Sequence, residues 1–351
     1  MIAEAGATLS GVTITDGQGQ EDDGDTGYSV SGNTIKIGYG GGMCIGCSHI
    51  DMADVIVRNC AGYHAGGIFT LPNGRIDMER CIITANQSAM NAGGMWNNGA
   101  RVYMNHCTIS DIISGQQAGG YYSINAEGAP SISRIYNSTF SGNDNTTKNA
   151  GRSGGAAYIR EYSDAVFVNC TFSGNKAGNG GAIQCYGNSG ARGSVTYVIS
   201  CTIADNVATN LGGGISHWND FAKLYLYNSI VTRNTAPDGM DFGYGANVKD
   251  QTKVDWSSTV IGSSLYATKT SVIGGFDPSF LKPIADNGGL VKTCALESNF
   301  ANTAINGGMS KADLDAIGTS LNPVIESSVF DTDARGVIRT KLNLGAYTVN
   351  E

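Results

Sequence analysis

Three aromatic residues each lie two positions after a Gly pair: Phe69, Trp96 and Tyr122. The residue just before each of them is apolar or aromatic and is predicted to point inward, so these three side chains are predicted to point outward from a strand. Rings stacked at a strand spacing of about 4.8 Å form a ladder that can stack on sugar rings. His217 and Trp218 follow a later Gly pair and are predicted to extend this surface. The alternative is that the rings pack on one another or under a neighbouring loop.

Charged residues offer two kinds of catalysis on polysaccharides, both found in the pectin-lyase-like class. A glycoside hydrolase uses paired carboxylates as general acid and base, and a lyase uses an Arg or Lys base beside carboxylates that hold calcium. The hydrolase candidates are Asp51, Asp54 and Asp77, and the lyase candidates are Arg160, Glu161 and Arg192. Neither set forms a recognised motif, so we assign no catalytic residue and keep catalysis as an alternative hypothesis.

Metal binding can be considered at the acidic loop 17–27 and at the histidines. Clustered carboxylates on a loop suit Ca²⁺, and this loop carries Glu21, Asp22, Asp23 and Asp25. Their spacing matches no defined calcium loop, so calcium competes with the interpretation of an ordinary solvated loop. The four histidines, at positions 49, 64, 106 and 217, are scattered over separate repeats, which argues against a metal centre. We therefore assign no metal ligand.

The net charge and the distribution of apolar residues exclude some classes of binding partner. The 351-residue chain has a net charge of −8, which disfavours nucleic acid as a partner. No apolar run approaches the length of a membrane span. Nine cysteines do not require a disulfide framework, because six of them have a packing explanation in the repeats described next.

A repeat of Gly pairs organises the chain. The second Gly of each pair lies at position 42, 67, 94, 120, 155, 181 or 214, with a weaker copy at 239, so five of the seven steps are 25–27 residues long. A small residue recurs between the pairs, and Asn follows it five residues later in most repeats. The small residues are Cys60, Cys81, Cys107, Ser138, Cys170, Cys201 and Ser229.

The alternation of apolar and polar residues before each small residue predicts short, half-buried strands. Three such strands per repeat predict an all-β fold, a right-handed parallel β-helix with 25–27 residues per coil and an irregular C-terminal cap. A thiol tolerates the full burial that stacking imposes on the small residues. The Asn is expected to tolerate the left-handed conformation at a corner and to bond to the next coil, while the Gly pairs are expected to supply positive φ at another corner.

Two groups of motifs resemble known families. The segments 172–175 and 180–183 are similar to the repeats of chlamydial polymorphic outer-membrane proteins. The C-terminal region resembles the ending of choice-of-anchor Q proteins of bacterial surfaces, although Asn306 and Ala334 stand where Asp and Gln are common. The motifs that carry this second resemblance are 276–278, 283–289, 304–307, 333–336 and 344–347. The resemblance implies a β-helix at a cell surface and brings no catalytic residues.

The sequence predicts two regions, a β-helix over 1–285 and a capping region over 286–351 packed on the last coils. A helix is predicted over 310–317, with Ser310 as its N-cap, Asp313 in a capping pair and Gly318 as its end. The start of the chain has no basic segment and no apolar core, so no signal peptide is recognised, and we expect the chain to belong to a longer secreted protein.

These features together predict a non-catalytic, monomeric module that is extracellular or on the surface of a bacterium. Its predicted partner is a polysaccharide or another cell-surface glycan or protein, bound in the manner of an adhesin. The first alternative is a polysaccharide lyase or glycoside hydrolase, and the second is a purely structural stalk.

Overall fold

The computed structural model describes residues 6–19, 27–30, 33–36, 38–46, 48–125, 128–146, 153–188, 192–262 and 275–350. Over these residues the predicted parallel β-helix is confirmed, because the repeats stack as coils whose strands form long parallel sheets. The carboxylates of the proposed calcium loop, at positions 21, 22, 23 and 25, lie outside the described residues. None of the described helices has the length and apolar character that crossing a bilayer requires.

Three sheets form the walls of the solenoid. Sheet 1 contains, in order, Ala7–Ser10, His49–Ala53, Arg75–Glu79, Arg101–Asn105, Ser131–Tyr136, Ser163–Val168, Val195–Ile199, Lys223–Tyr227 and Val254–Ser257. Sheet 2 contains Thr13–Thr15, Ile56–Arg58, Ile82–Thr84, Thr108–Ser110, Thr139–Ser141, Thr171–Ser173, Thr202–Ala204, Ile230–Thr232 and Val260–Ile261. Sheet 3 contains Met43–Ile45, Ile68–Thr70, Met95–Asn97, Tyr121–Ser123, Ala157–Ile159, Ile183–Cys185, Ile215–Asn219 and Phe242–Asn247.

Shorter elements complete the coils and the C-terminal region. The short parallel strands are Ala61–Gly62, Gln87–Ser88, Ile113–Ser114, Lys176–Asn179 and Val207–Leu211. Two antiparallel hairpins pair Gly27–Val30 with Asn33–Lys36 and Leu281–Ala285 with Thr293–Leu296. The α-helix, α1, is Lys311–Ser320, and the 3₁₀ helices are Gln251–Lys253, Pro278–Phe280 and Ser327–Phe330.

The core of the solenoid contains the inward residues of all three sheets. Four cysteines of the small-residue column are at most 2% exposed, and they are Cys81, Cys107, Cys170 and Cys201. The prediction that Cys60 belongs to this column is wrong: Val55 holds that position, and the buried Cys60 lies at the next corner, where its backbone N–H donates to Asn86 Oδ1 at 2.9 Å. Each coil alone would leave its apolar residues in water, so stability comes from stacking of neighbouring coils.

An Asn ladder ties the coils together at the corner after sheet 2, as predicted. The Asn175 side chain accepts a hydrogen bond from Asn143 Nδ2 at 2.8 Å and donates one to Asn206 Oδ1 at 2.8 Å. Asn206 donates in the same way to Asn234, which donates to Asp241. All four Asn residues are at most 2% exposed, so the ladder satisfies amide groups that burial would otherwise leave unpaired.

The ladder Asn residues are not themselves left-handed, contrary to the expectation. At their corner the positive φ lies at the residue directly before them, as at Gly142, Gly174 and Asp205. At the preceding corner, between sheets 1 and 2, it lies directly before the small residue, as at Asn137 and Asn169, where φ is +47° and +54°. The chain turns sharply between sheets 1 and 2 at that position, and Asn tolerates the turn better than most residues.

The Gly pairs serve chiefly to let coils approach closely. A Cβ added at Gly66 would lie 2.2 Å from the carbonyl oxygen of Gln87, in the next coil. The positive φ at this corner belongs to the preceding residue, Ala65, at +52°. The expectation of positive φ within the pair therefore holds only in some coils, such as that of Gly180, where φ is +63°.

The C-terminal region packs along the sides of the solenoid. Residues of α1 and its surroundings, including Leu314, Leu321 and Phe330, form an apolar cluster with Val166 and Ile199 on the outer face of sheet 1. Arg134 Nη2 donates to the Asn322 carbonyl at 2.8 Å, which places the C-terminal chain beside a middle coil. The region predicted as a cap thus covers the flank of several coils.

A second part of this region covers sheet 2. Leu281, Cys294 and Leu344 pack against Ala204 and Ile230, which point outward from that sheet. The hairpin of Leu281–Ala285 with Thr293–Leu296 spans the predicted boundary between residues 285 and 286.

The predicted helix is present, with a corrected end. Ser310 is the N-cap and its Oγ accepts from the Asp313 backbone N–H at 3.2 Å, but α1 continues through Gly318 to Ser320. Gly318 is buried there, and an added Cβ would lie 3.0 Å from the Phe330 ring. Its small size serves the packing of the helix and does not end it.

Candidate functional site

An open groove of about 470 Å³ lies on the outer face of sheet 1, over its first strands. Its floor comes from the first five strands of sheet 1, from Thr8 to Tyr136, and its far wall from the C-terminal chain around Val329. The polar and aromatic floor residues are Asp51, Arg75, Asp77, Glu79, Tyr103, Asn105 and Asn137. Farther along the same sheet, outward apolar residues such as Val166 and Ile199 are covered by the C-terminal region, and the outward Arg134 donates to that region. The groove is where that cover ends.

The floor places two carboxylates side by side. Asp51 and Asp77 are register partners on adjacent strands, as are His49 and Arg75. His49 Nε2 lies 2.9 Å from Asp77 Oδ2 and 3.3 Å from Asp51 Oδ1. One oxygen or nitrogen atom from each of these three side chains lies within 4.8 Å of the other two. The cluster can hold a cation or bind the polar groups of a ligand.

A stacked cation and ring complete the floor. Arg75 Nε donates to both oxygens of Asp77, at 2.9 and 3.1 Å, and its guanidinium carbon lies 4.6 Å from the centre of the Tyr103 ring. The hydrogen bond to Asp77 raises the pKa of Arg75, so this side chain remains a cation. Arg75 and Tyr103 together offer a flat, half-exposed surface with hydrogen-bonding groups at its edge.

Of the three hydrolase candidates, the structure brings together Asp51 and Asp77 but not Asp54. Asp54 accepts from Arg80 Nε and Nη2, both at 2.8 Å, and does not line the groove. The hydrogen bonds from Arg80 lower the pKa of Asp54, so its carboxylate is held as an anion by a surface ion pair.

The lyase candidates form separate ion pairs. Arg160 Nη2 donates to Glu161 at 2.8 Å and Arg160 Nη1 to the Tyr122 hydroxyl at 3.1 Å, whereas Arg192 Nη2 pairs with Asp164 at 2.6 Å. Burial opposes the charge of Arg160, but its neighbours, with Tyr122 foremost, raise its pKa overall. An Arg with a raised pKa holds its proton too tightly to act as a base, so this set does not assemble a lyase site.

The aromatic ladder is present but is not an exposed surface. Phe69, Trp96 and Tyr122 lie in register on adjacent strands of sheet 3 and contact one another, with ring centres 5.4 and 5.1 Å apart. Phe69 is 4% exposed and Tyr122 is 2% exposed. The alternative interpretation, packing on one another and under a neighbouring segment, therefore describes Phe69 and Tyr122, which offer no open face to a sugar, while Trp96 is half-buried between them.

A segment before sheet 3 covers the start of the ladder. The Tyr39 ring lies 4.8 Å from Phe69 and 5.8 Å from Trp96, and the His64 ring lies 5.4 Å from Trp96. These contacts build a small apolar cluster outside the main core.

Trp218 does not extend the ladder, because Gln184 and Ser216 hold the ladder register in the later coils. His217 points inward, is fully buried, and its Nε2 contacts the Ala222 carbonyl at 3.0 Å. Sequence reasoning instead missed Tyr158, which lies in register with Tyr122 and stacks on it at 5.6 Å.

His49 is the member of the cluster with Asp51 and Asp77 that sequence reasoning missed. The sequence does contain a signal, because Asp77 follows Asp51 by 26 residues, one period of the repeat. His49 lies two positions before Asp51, on the same face of its strand. The sequence analysis considered only sites built from several histidines, and it therefore missed a cluster that combines one histidine with two carboxylates.

No protein-family model matches this sequence, and neither does any curated protein. The resemblance to choice-of-anchor Q proteins remains a prediction.

Proposed function

We propose that this chain is a non-catalytic β-solenoid module that binds an extended polar chain, such as a surface glycan, in the groove on sheet 1. The observation that carries the proposal is the change along the outer face of that sheet. Its apolar stretch is covered by the C-terminal region, while its polar stretch, from Asp51 to Asn105, is left open. We place the module at a bacterial surface or in a secreted protein.

The composition of the floor supports a carbohydrate ligand. Carboxylate and amide oxygens accept hydrogen bonds from hydroxyl groups, and the amide of Asn105 and the guanidinium of Arg75 can donate. These groups repeat from strand to strand at about 4.8 Å, so a linear ligand that lies across the strands meets several of them. The Tyr103 ring adds an apolar surface of the kind that binding sites combine with a few placed polar groups.

A glycoside hydrolase is the second candidate, favoured by the pairing of Asp51 with Asp77. Retaining hydrolases place two carboxyl groups about 5–5.5 Å apart, and a carboxylate oxygen of Asp51 lies within 4.8 Å of one of Asp77. Asp77 is hydrogen-bonded to Arg75 and His49, which suits an anion better than a general acid. This leaves Asp51, whose side chain is 56% exposed, as the acid.

A screen of the purified protein against a glycan array, with release of reducing ends assayed on every hit, tests both candidates. Saturable binding without cleavage supports the binding module. Cleavage that is lost in Asp51→Asn and in Asp77→Asn would establish the hydrolase instead. The absence of saturable binding to any glycan would contradict both.

A further inference from the structure

We propose that His49, Asp51 and Asp77 form a binding site for a divalent transition-metal ion of the zinc class, at one end of the groove. The three side chains project from two adjacent strands of sheet 1, and the register of those strands fixes their relative positions. This proposal does not depend on the identity of the groove's ligand, because the metal is measured on the protein alone.

The two distances from His49 to the carboxylates fit such an ion, and the two carboxylate oxygens lie within 4.8 Å of each other. Nitrogen and oxygen ligands lie about 2.0–2.1 Å from Zn²⁺, so neighbouring ligand atoms around one ion lie about 3.0–3.4 Å apart. His49 Nε2 lies 2.9 Å from Asp77 Oδ2 and 3.3 Å from Asp51 Oδ1. The Asp51 side chain is 56% exposed, so its carboxylate can rotate to complete the site.

Proton counting favours a cation among these atoms. Nε2 of an imidazole carries at most one hydrogen in any protonation state, so His49 can make a full hydrogen bond to only one of the two carboxylates. The carboxylate of Asp51, at the longer distance of 3.3 Å, then receives at most a share of that hydrogen. A metal ion satisfies both carboxylates and the nitrogen lone pair at once.

His106 shows the ordinary arrangement on the same sheet and makes a natural comparison. Its Nδ1 lies 3.1 Å from Glu79 Oε1, and Glu79 is its one carboxylate partner among the described residues. That geometry is a simple hydrogen bond. The cluster at His49 differs by having two carboxylates directed at one nitrogen.

Arg75 acts as an orienting partner of the proposed site. It donates to Asp77 and is itself packed on Tyr103, which fixes the carboxylate of Asp77, as partners of metal ligands commonly do. An imidazole ligand favours zinc-class ions over Ca²⁺ and Mg²⁺, which prefer oxygen. Three protein ligands leave at least one coordination position open toward the groove.

The test uses protein that has been freed of metal with a chelator and titrated with Zn²⁺ by calorimetry, with Co²⁺ as a spectroscopic probe. We expect one ion per chain and a visible cobalt spectrum without the charge-transfer band of thiolate ligands. His49→Gln and Asp51→Asn each remove a ligand and are expected to weaken binding about 100-fold or more. His106→Gln, the matched control, is expected to bind as the wild type does.

Several results would overturn the proposal. They are no saturable Zn²⁺ binding by the wild type, unchanged binding by His49→Gln, equal loss in His106→Gln, a thiolate cobalt spectrum, or tighter binding of Ca²⁺ than of Zn²⁺. Thermal unfolding of each variant in chelator checks that the lost binding is not lost folding. Glycan binding plays no part in any of these measurements, so the two proposals can fail separately.

Discussion

Asp51 and Asp77 lie directly opposite each other on neighbouring strands, and the one imidazole nitrogen of His49 contacts both carboxylates. Like charges that face each other across a strand pair destabilise a sheet. Arg75 compensates one of the two charges by pairing with Asp77, which leaves Asp51 as the excess negative charge on the groove floor.

Removal of that charge is predicted to stabilise the metal-free protein. Asp51→Asn relieves the repulsion from Asp77, so the free energy of unfolding in chelator is expected to rise by about 0.2–1 kcal/mol. Saturating Zn²⁺ is expected to reverse the order, because only the wild type gains stability from binding the ion. Thermal unfolding with and without Zn²⁺ measures both, and a less stable variant in chelator would contradict the prediction.

Asn169 is predicted to be a principal attachment point of the C-terminal region. Its Nδ2 donates to the carbonyls of Val329 and Thr332, both at 3.0 Å, and its Oδ1 accepts from Arg339 at 3.1 Å. Asn169→Ala leaves these buried groups unpaired, at a cost of about 2–4 kcal/mol of stability. Denaturant unfolding gives the value.

Asn59→Ala is the matched control for this change. Asn59 is also left-handed, with φ of +53°, but it lies at the corner after sheet 2 of an earlier coil and is exposed. Its substitution is expected to cost only about 1 kcal/mol, for the strain of alanine in that conformation. Equal losses in the two variants would show that the contacts of Asn169 contribute nothing.

The described cysteines are predicted to resist thiol reagents in the native protein. Seven of the eight are buried and Cys44 is half-buried. Burial raises the pKa of Cys44 to about 11 and those of Cys185 and Cys294 to about 12. The hydrogen bond with Cys107 lowers the pKa of Cys81, but Cys81 is only 1% exposed and is shielded from reagents. Because the thiolate is the reactive form and burial blocks access to it, labelling at pH 8 is expected to be slow at all eight until a denaturant is added. Rapid labelling of two or more thiols in the native protein would contradict this.

Trp96 is predicted to matter for stability and not for glycan binding. Its ring contacts Phe69, Tyr122, Tyr39 and His64, so Trp96→Ala leaves a cavity and is expected to cost about 3–5 kcal/mol. Glycan affinity of the folded variant is expected to be unchanged, because the ladder lies on sheet 3 and the groove on sheet 1. If Trp96→Ala lost glycan affinity but kept its stability, the aromatic ladder, and not the groove, would be the binding surface.

The sequence predicts the solenoid well because its determinants are local and periodic. The Gly pairs, the thiol column and the Asn ladder each recur once per coil, and stacking places like residues on like. The capping of α1 by Ser310 is also local, whereas its continuation through Gly318 depends on Phe330, which approaches from outside the helix.

Tyr158 shows how a shift of one residue hides a site residue. Counting from the Gly pair 154–155 places Ala156 opposite Tyr121, but the structure pairs Tyr121 with Ala157. A shift by one residue moves every side chain to the other face of a strand. Counting from the Gly pair therefore predicts that Tyr158 points inward. In the structure the Tyr158 ring points outward and stacks on Tyr122.

The sequence could not predict which of the outward side chains are buried. Alternation identifies Tyr122 as outward, but its exposure depends on segments that fold over it. The same holds for Val166 and Ile199, which are covered by residues more than 100 positions later. Such contacts depend on the path of the C-terminal chain, which has no repeat to reveal it.

The most direct test of the account compares affinities for the strongest glycan ligand between the wild type, Tyr103→Ala and Tyr225→Ala. Tyr225 lies in the same outward column of sheet 1 but outside the groove, where it stacks on Tyr197. The account predicts that Tyr103→Ala weakens binding by about tenfold or more, equivalent to about 1.4 kcal/mol, and that Tyr225→Ala binds as the wild type does. Equal affinity of all three proteins would contradict the groove as the binding site.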